Sequence, residues 1–394
     1  MLYTVLRKVN FEGKIIIIDC NNKIREFGKG NQLVKVKLKN KSIEKKLFRN
    51  PALYLGEGYM NEEILIEEGT IDDLINIVTA SYDDFVRNNY IYRFYENFSG
   101  YIKVFQQLNE AVKSKQNVAH HYDLKEDLYK LFLDKDMQYS CAYFHNENIS
   151  LEQAQIDKKK HIINKLQIKE NMNVLDIGCG WGGMALEIAK KTGAKVKGIT
   201  LSENQFVTAS KRAQEEGLSE KVSFQIQDYR DEKKNYDRIV SIGMFEHVGI
   251  KYFKPYLKKT YELLKDNGVF LLHTIGQRGI PTATSPWIRK YIFPGGYIPS
   301  LSDIVNETQK LNINITDIEI LRLHYAYTLS HWYKNIQKHK SEIIKMFDKR
   351  FFRMWEFYLL ASKYSFENMG NVVFQIQIAK NIKNLPLTRN YMYN

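Results

Sequence analysis

Cysteine is scarce in this sequence: three residues in 394, Cys20, Cys141 and Cys179. An odd, sparse set gives no disulfide framework and is expected of a chain kept in a reducing, cytoplasmic compartment. No apolar run nears the roughly 20 residues that a membrane-spanning helix needs. Met1–Gly13 carries charges inside its apolar stretch and has no signal-peptide pattern. Metal-binding spacings are missing: there is no C-x-x-C, no H-E-x-x-H and no aspartate-rich calcium loop, and the nine histidines are scattered. No metal is expected. A G-x-S-x-G elbow is also absent, which argues against serine acyl transfer. No internal repeat or low-complexity block stands out.

What is present is a large, aromatic, basic chain. Apolar residues make up 44% and aromatics 13%, enough for two domains with a sizeable core. The net charge is +13, and residues 1–50 hold 13 Lys/Arg against 4 Asp/Glu, a balance of +9. The rest of the chain therefore carries only +4. A basic terminal lobe suits an anionic partner, nucleic acid or anionic lipid, although a merely soluble lysine-rich surface has the same composition.

Residues 1–80 read as a small α/β lobe. Val34-Lys35-Val36-Lys37-Leu38-Lys39 alternates, predicting a strand with one apolar and one lysine face. Ile64–Ile66 reads as another strand, and Thr70 caps a helix from Ile71. Residues 81–116 form an aromatic, helical connector. From 117 to 394 strands alternate with helices: strands at 173–177, 195–200, 222–227, 237–242 and 269–274, helices near 183–192, 204–217 and 251–264. That rhythm predicts a doubly wound, mostly parallel sheet, with Asn371–Ala379 as an antiparallel edge strand. Residues 280–300 carry four of the seven prolines and read as a loop or lid over a site.

The densest signal is Val174-Leu175-Asp176-Ile177-Gly178-Cys179-Gly180-Trp181-Gly182-Gly183, an apolar strand that ends in a glycine turn and enters a helix. Such a joint is where open α/β sheets bind nucleotide-like ligands. Gly178, Gly180 and Gly182 can take positive φ and let a ligand approach the backbone. Asp176 beside them suits the cationic methionine end of S-adenosylmethionine (SAM) better than a phosphate. The spacing D-x-G-x-G-x-G resembles the SAM loop of Rossmann-like methyltransferases.

Five further motifs point the same way: His121-Tyr122-Asp123-Leu124, Gln138-Tyr139-Ser140-Cys141-Ala142-Tyr143-Phe144, Gly198–Ser202, Met244–Gly249 and Leu272–Gly276. With the glycine loop, the ordered set resembles the cyclopropane-fatty-acyl-phospholipid synthases over most of 117–394, in the full-length bacterial layout. The resemblance implies methylene transfer from SAM to a cis double bond of an unsaturated phospholipid, at the inner face of the membrane. It also implies a homodimer and no nucleic-acid partner. Tyr139, Ser140, the three glycines, Thr200, Gln205, Asp228 and Tyr229 would surround SAM, with Asp228 accepting from the adenine amino group. The second strand here ends in Thr200, where most methyltransferases offer an acid to the ribose; Glu203 and Gln205 are nearby substitutes.

The chemistry explains the remaining residues. An isolated alkene is a weak nucleophile, so the methyl must be held in line; positioning supplies roughly 7–11 kcal/mol of such a barrier. The resulting carbocation needs an aromatic wall, for which Tyr139, Tyr143, Phe144, Phe245 and Tyr325 are candidates. By resemblance the ring-closing base is a bound bicarbonate ion, cradled by Cys141, Glu246, His273, the Ile275 backbone and Tyr325. Read alone, Cys141 is equally a small buried hydrophobe and His273 a hydrogen-bonded core residue; His247 reads as structural. A further cysteine that some members carry in the late helix corresponds here to Ser362. The alternatives are a C- or N-methylating relative of the same fold and a non-catalytic lipid- or nucleic-acid-binding protein.

Overall fold

The computed structural model describes residues 1–89, 126–279 and 284–393. The His121–Leu124 motif, most of the 81–116 connector and residues 280–283 lie outside them. The described chain forms two units: one of residues 1–89, 284–294 and 329–370, the other of 126–279, 295–328 and 371–393.

In the first unit the alternation of residues 33–38 becomes a strand whose valines and Leu38 are buried. Its sheet runs β2 (Ile24–Phe27), β1 (Lys14–Ile18), β3 (Leu33–Leu38), β4 (Ile64–Glu68). Thr70 caps the helix Ile71–Ala80 in a reciprocal capping box with Asp73. This unit is discontinuous, taking in 284–294 and 329–370, which the division at 117 would place with the catalytic lobe. Helix Lys349–Glu367 packs on helices Pro51–Met60 and Ile71–Ala80, and Tyr59 Oη donates to Glu356 Oε2 at 2.5 Å. Residues 284–294 are not simply a loop. Pro286 opens the short helix Pro286–Tyr291, and Trp287 is buried edge-on to Phe357 with centroids 4.7 Å apart.

The second unit is the expected doubly wound sheet, a Rossmann-like methyltransferase fold. Its order is β10-β11-β9-β8-β5-β6-β7, with β5 Asn173–Ile177, β6 Lys195–Thr200, β7 Val222–Ile226, β8 Tyr236–Ile242, β9 Leu264–Gln277, β10 Asn314–Leu321 and β11 Asn371–Ala379. Strands β7 to β9 are parallel to one another across the sheet, and β11 runs antiparallel to both neighbours. The edge assignment needs correction. β11 lies second from the edge, and the edge is β10, whose alternation is broken by a bulge between Ile315 and Asp317.

Apolar strands with helices on both faces bury two cores. One face holds Val174, Val196 and Val240 against Ile162, Met184 and Ala209 of helices Leu151–Leu166, Gly183–Thr192 and Glu203–Glu215. The other packs Leu175, Ile239 and Phe270 on Phe253, Tyr256 and Ile304. Each such side chain contributes about 1.5–3 kcal/mol. The chain order reverses between β5 and β8, the switch point where doubly wound sheets take ligands. No helix among the described residues is long and apolar enough to cross a membrane.

Candidate functional site

β5 ends at Asp176-Ile177, and the glycine turn follows at once. Gly178, Gly180 and Gly182 all have positive φ, at 77°, 52° and 85°. A Cβ on Gly182 would stand 2.6 Å from the Phe224 ring, so packing as well as backbone angle demands glycine. The amides of Gly178 and Cys179 donate to Ile199 O at 2.9 and 3.1 Å, tying the turn to β6. Asp176 is buried, its Oδ2 has no hydrogen-bond partner, and burial pushes its carboxyl up to about 7, opposed by the Lys158 charge.

At the end of β6, Thr200 Oγ1 donates to Gln205 Oε1 at 2.7 Å and accepts from the Ser202 amide at 3.2 Å. Beyond β7, Asp228 is in a bidentate pair with Arg230, 2.9 and 2.6 Å, on the surface side. Tyr229 packs edge-on to Tyr256 with centroids 5.1 Å apart, and burial pushes its hydroxyl up to about 12. Tyr139 meets the rings of Tyr129 and Phe132 at 5.3 and 6.1 Å, and Tyr129 in turn meets Trp181 of the glycine turn at 4.8 Å. The assigned cofactor residues thus converge on the carboxyl ends of β5, β6 and β7 and the segment before Cys141.

The second cluster sits where β8 stops short of β9. His273 pairs with Ile242, the last residue of β8, so the Ile275 amide lies beyond the parallel ladder. Glu246, in a single turn after β8, takes that place: its Oε1 accepts from Ile275 N–H at 2.6 Å. Its Oε2 is buried without a partner, and burial pushes the carboxyl up to about 7. The turn is fixed from the other side by Tyr297 N–H donating to Glu246 O at 2.9 Å. His273 lies opposite Gln375 of β11, whose Nε2 donates to His273 Nδ1 at 3.2 Å. The neutral ring therefore carries its proton on Nε2. Burial holds this histidine well below the usual imidazole range.

The segments that carry Cys141 and Tyr325 are joined by backbone-to-side-chain bonds. Ala142 N–H donates to Thr328 Oγ1 at 3.0 Å, and Phe144 N–H to His324 Nδ1 at 2.9 Å, fixing the first turn of helix His324–Lys338 on the Cys141 segment. Cys141 is buried, and its thiol is pushed up well above the usual range by burial. Two candidates for an aromatic wall are held in other stacks. Phe245 stacks on Phe253 at 4.1 Å, and Tyr143 lies between His161 and His324 at 4.4 and 4.9 Å. Their burial comes from this local packing, which a sequence motif does not reveal. His247 is half-buried, and desolvation holds its imidazole down to about 4. No cluster of metal-ligating side chains exists among the described residues.

Sequence reasoning missed Gln375, Lys158 and Gly183. Lys158, fully buried on helix Leu151–Leu166, donates to Gln138 Oε1 and Ser140 Oγ at 2.5 and 2.9 Å. Its one signal was position: in a run of three lysines it falls on the apolar stripe of Leu151, Ala154 and Ile162. A Cβ on Gly183 would lie 2.2 Å from Gln138 Nε2, so a side chain there would displace the Gln138 amide that Lys158 and Asp136 hold.

A family model described as mycolic acid cyclopropane synthetase matches residues 109–376, and one described as a domain of unknown function matches residues 2–90. The cyclopropane-fatty-acyl-phospholipid synthase of Escherichia coli (strain K12) is 41% identical over 264 residues, 67% of this chain and 68% of that protein. A probable fatty acid methyltransferase of Pseudomonas putida is 38% identical over 287 residues, 70% of this chain and 73% of that protein. Among solved structures, a cyclopropane synthase from Mycobacterium tuberculosis superimposes with TM-score 0.64 at 32% identity, covering 67% of this chain and 98% of that one. A mycolic acid cyclopropane synthase crystallised with SAH and CTAB gives TM-score 0.64 at 31% identity, with coverage of 67% and 98%. The chain belongs to the mycolic acid cyclopropane synthetase family, alongside the cyclopropane-fatty-acyl-phospholipid synthases, and is a SAM-dependent methyltransferase of that lipid-modifying group.

Proposed function

We propose that this enzyme adds a methylene unit from SAM across the cis double bond of an unsaturated phospholipid acyl chain and closes a cyclopropane ring. The observation that carries this reading is the Glu246 carboxyl, buried, bonded by one oxygen to the Ile275 amide, two residues along β9 from the buried, neutral His273, and left with the other unpartnered. A simple methyl transfer to an exposed amine needs no such buried, half-satisfied carboxyl. It suits a reaction that must lose a proton where water would be ruinous.

Asp176, the glycine turn, Ser140, Thr200 and Gln205 would bind SAM, with Asp228 and Tyr229 at the adenine. Methyl transfer leaves positive charge on the acyl chain, and apolar side chains keep water from capturing it. The orphaned Glu246 Oε2, the His273 Nε2–H, the Cys141 thiol and the Tyr325 hydroxyl are a donor and acceptor set that fits a small oxyanion such as bicarbonate. Such an ion, when bound, supplies a base for the ring-closing proton. Glu246 holds the acceptor side of the cradle in place through Ile275, and Gln375 fixes the tautomer that makes His273 a donor.

The lysines of β3 and its neighbours would dock the enzyme on anionic headgroups at the cytoplasmic membrane face, each adding about 1 kcal/mol near the surface. Vesicle binding should then weaken steeply between about 50 and 500 mM salt, because exposed charges are screened. Binding to anionic vesicles that ignores salt, followed by co-sedimentation, would remove the lobe as the docking surface.

The test of the reaction uses purified protein, SAM labelled in its methyl group, and vesicles of mono-unsaturated phospholipid. The expected product is lipid heavier by one CH2, with upfield ring protons and no alkene signal. Label in lipid with the alkene retained would instead make this a chain-methylating enzyme. No label in lipid would overturn the lipid substrate.

A further inference from the structure

Helix Leu151–Leu166 carries three buried lysines. Two are paired with carboxylates, Lys159 with Asp136 at 2.6 Å and Lys165 with Glu319. Lys158 is bonded differently. Its two hydrogen bonds go to neutral oxygens, those of Gln138 and Ser140, and no carboxylate among the described residues forms an ion pair with it. The acids that face it are Asp134, Asp136 and Asp176, and none of them bonds to it; Asp176 is the one with an oxygen left unpartnered. Asp136 is shared by Lys159 and Arg212. Asp134 accepts the amides of Asp136 and Gln138 at 3.1 and 2.8 Å, and burial pushes its carboxyl up.

Burying an ammonium with no carboxylate bonded to it is costly even where Asp134 and Asp136 offset part of the cost from a distance, and a fold that only needed packing would be better served by an apolar side chain. Burial holds Lys158 down to about 8, which still leaves it a cation at neutral pH. Its charge is felt at Cys141, Asp176 and His273. These are groups that burial keeps uncharged or half-charged, so the cradle's own side chains offer an anion no positive charge. Glu246 adds none.

We propose that Lys158 is a positioning residue that fixes Gln138 and Ser140 and supplies the positive charge against which the Cys141–Glu246–His273 cradle holds an anion, an inference that rests on the cradle reading above. The mounting is built for it. Gln155, one turn earlier on the helix, donates from Nε2 to Ser140 O at 3.0 Å, so two side chains of one helix face grip Ser140. Gln138 is braced in turn by Nε2 donating to Asp136 Oδ2 at 3.0 Å. The segment that leads into Cys141 is thereby hung on the ammonium, which bonds the residue next to the thiol in sequence.

The test compares Lys158→Gln, which keeps a hydrogen-bonding head without charge, and Lys158→Arg, which keeps the charge. ¹³C-labelled bicarbonate is titrated against the SAM-saturated protein and its binding followed by NMR line broadening; SAM affinity is measured by calorimetry and folding by thermal midpoint. Lys158→Gln should weaken bicarbonate binding at least tenfold, a larger loss than it causes in SAM affinity through Ser140 and Asp176, and Lys158→Arg should recover most of the loss. If the glutamine variant does not fold, Lys158→Met repeats the test with the aliphatic stem kept. Bicarbonate binding that is unchanged in a folded neutral variant would overturn the role of Lys158. Parallel loss of SAM affinity and thermal midpoint would overturn it in favour of a purely structural lysine. Wild-type protein that binds no labelled bicarbonate would overturn the cradle reading, and with it the anion assigned here.

Discussion

Replacing Glu246 with glutamine should leave SAM binding intact and lower turnover by about 10²–10⁴-fold, the usual range for removing a positioned proton-handling group. The substitution is nearly isosteric. Its amide oxygen can still accept from Ile275 N–H at the place where Glu246 Oε1 does so at 2.6 Å. The change falls on the other atom: an unpartnered acceptor able to hold a proton becomes an obligate donor. Single-turnover transfer of labelled methyl to lipid, with calorimetry of SAM as the control, measures it. Turnover within threefold of the wild type would remove Glu246 from the chemistry.

The same variant has a stability signature. Below pH 4.5 the carboxyl is protonated folded and unfolded, and contributes nothing. Between 4.5 and about 7 only the unfolded chain releases the proton, so stability falls as pH rises; above about 7 the penalty is complete, on the order of 3 kcal/mol. Glu246→Gln should therefore be more stable than wild type at pH 8 and indistinguishable at pH 4. A carboxyl whose titration is unchanged by folding would give no pH dependence in this difference.

Asp176→Asn should weaken SAM binding about 10- to 100-fold at pH 7.5, as expected for loss of a charge-assisted hydrogen bond of about 1.5–3 kcal/mol. In the wild type the carboxyl sits buried with Oδ2 unpartnered and is pushed up to about 7. A ligand ammonium beside it favours the ionised form, so binding releases a proton at low pH and affinity should climb between pH 5.5 and 7.5. Calorimetry in two buffers of different ionisation enthalpy reads both the affinity and the proton. The asparagine variant should show a flat profile over that window; a slope that survives in it would place the titrating group elsewhere.

These residues were legible in the sequence to different degrees, for physical reasons. The glycine turn was open to reading because three positive-φ positions and a flush apolar strand leave few choices of residue. Glu246 was readable because a polar residue just past a buried strand of an α/β sheet has few structural uses. β10 escaped because its bulge breaks the alternation that marks a strand. Helix Pro286–Tyr291 escaped because proline-rich sequence resembles a loop until Pro286 is seen at the first helical position and Trp287 in a core. Lys158 was hidden by its neighbours: in a run of lysines the only local mark of an inward one is its place on the apolar stripe of Leu151, Ala154 and Ile162, and Lys159 beside it is buried too. Gln375 depended on which strand would lie against β9, a pairing across 102 positions.

That pairing has a consequence for how the enzyme is made. β11 is inserted between β9 and β10, so the sheet stays open until residues near 379 have left the ribosome. The glycine turn and β5 to β8 can assemble on the nascent chain, since domains form from their earlier residues as synthesis proceeds. His273 waits for Gln375. On the proposed reading, the strands that would bind the methyl donor are thus made well before the strand that orients His273, and chains cut short by premature termination would lack that orientation.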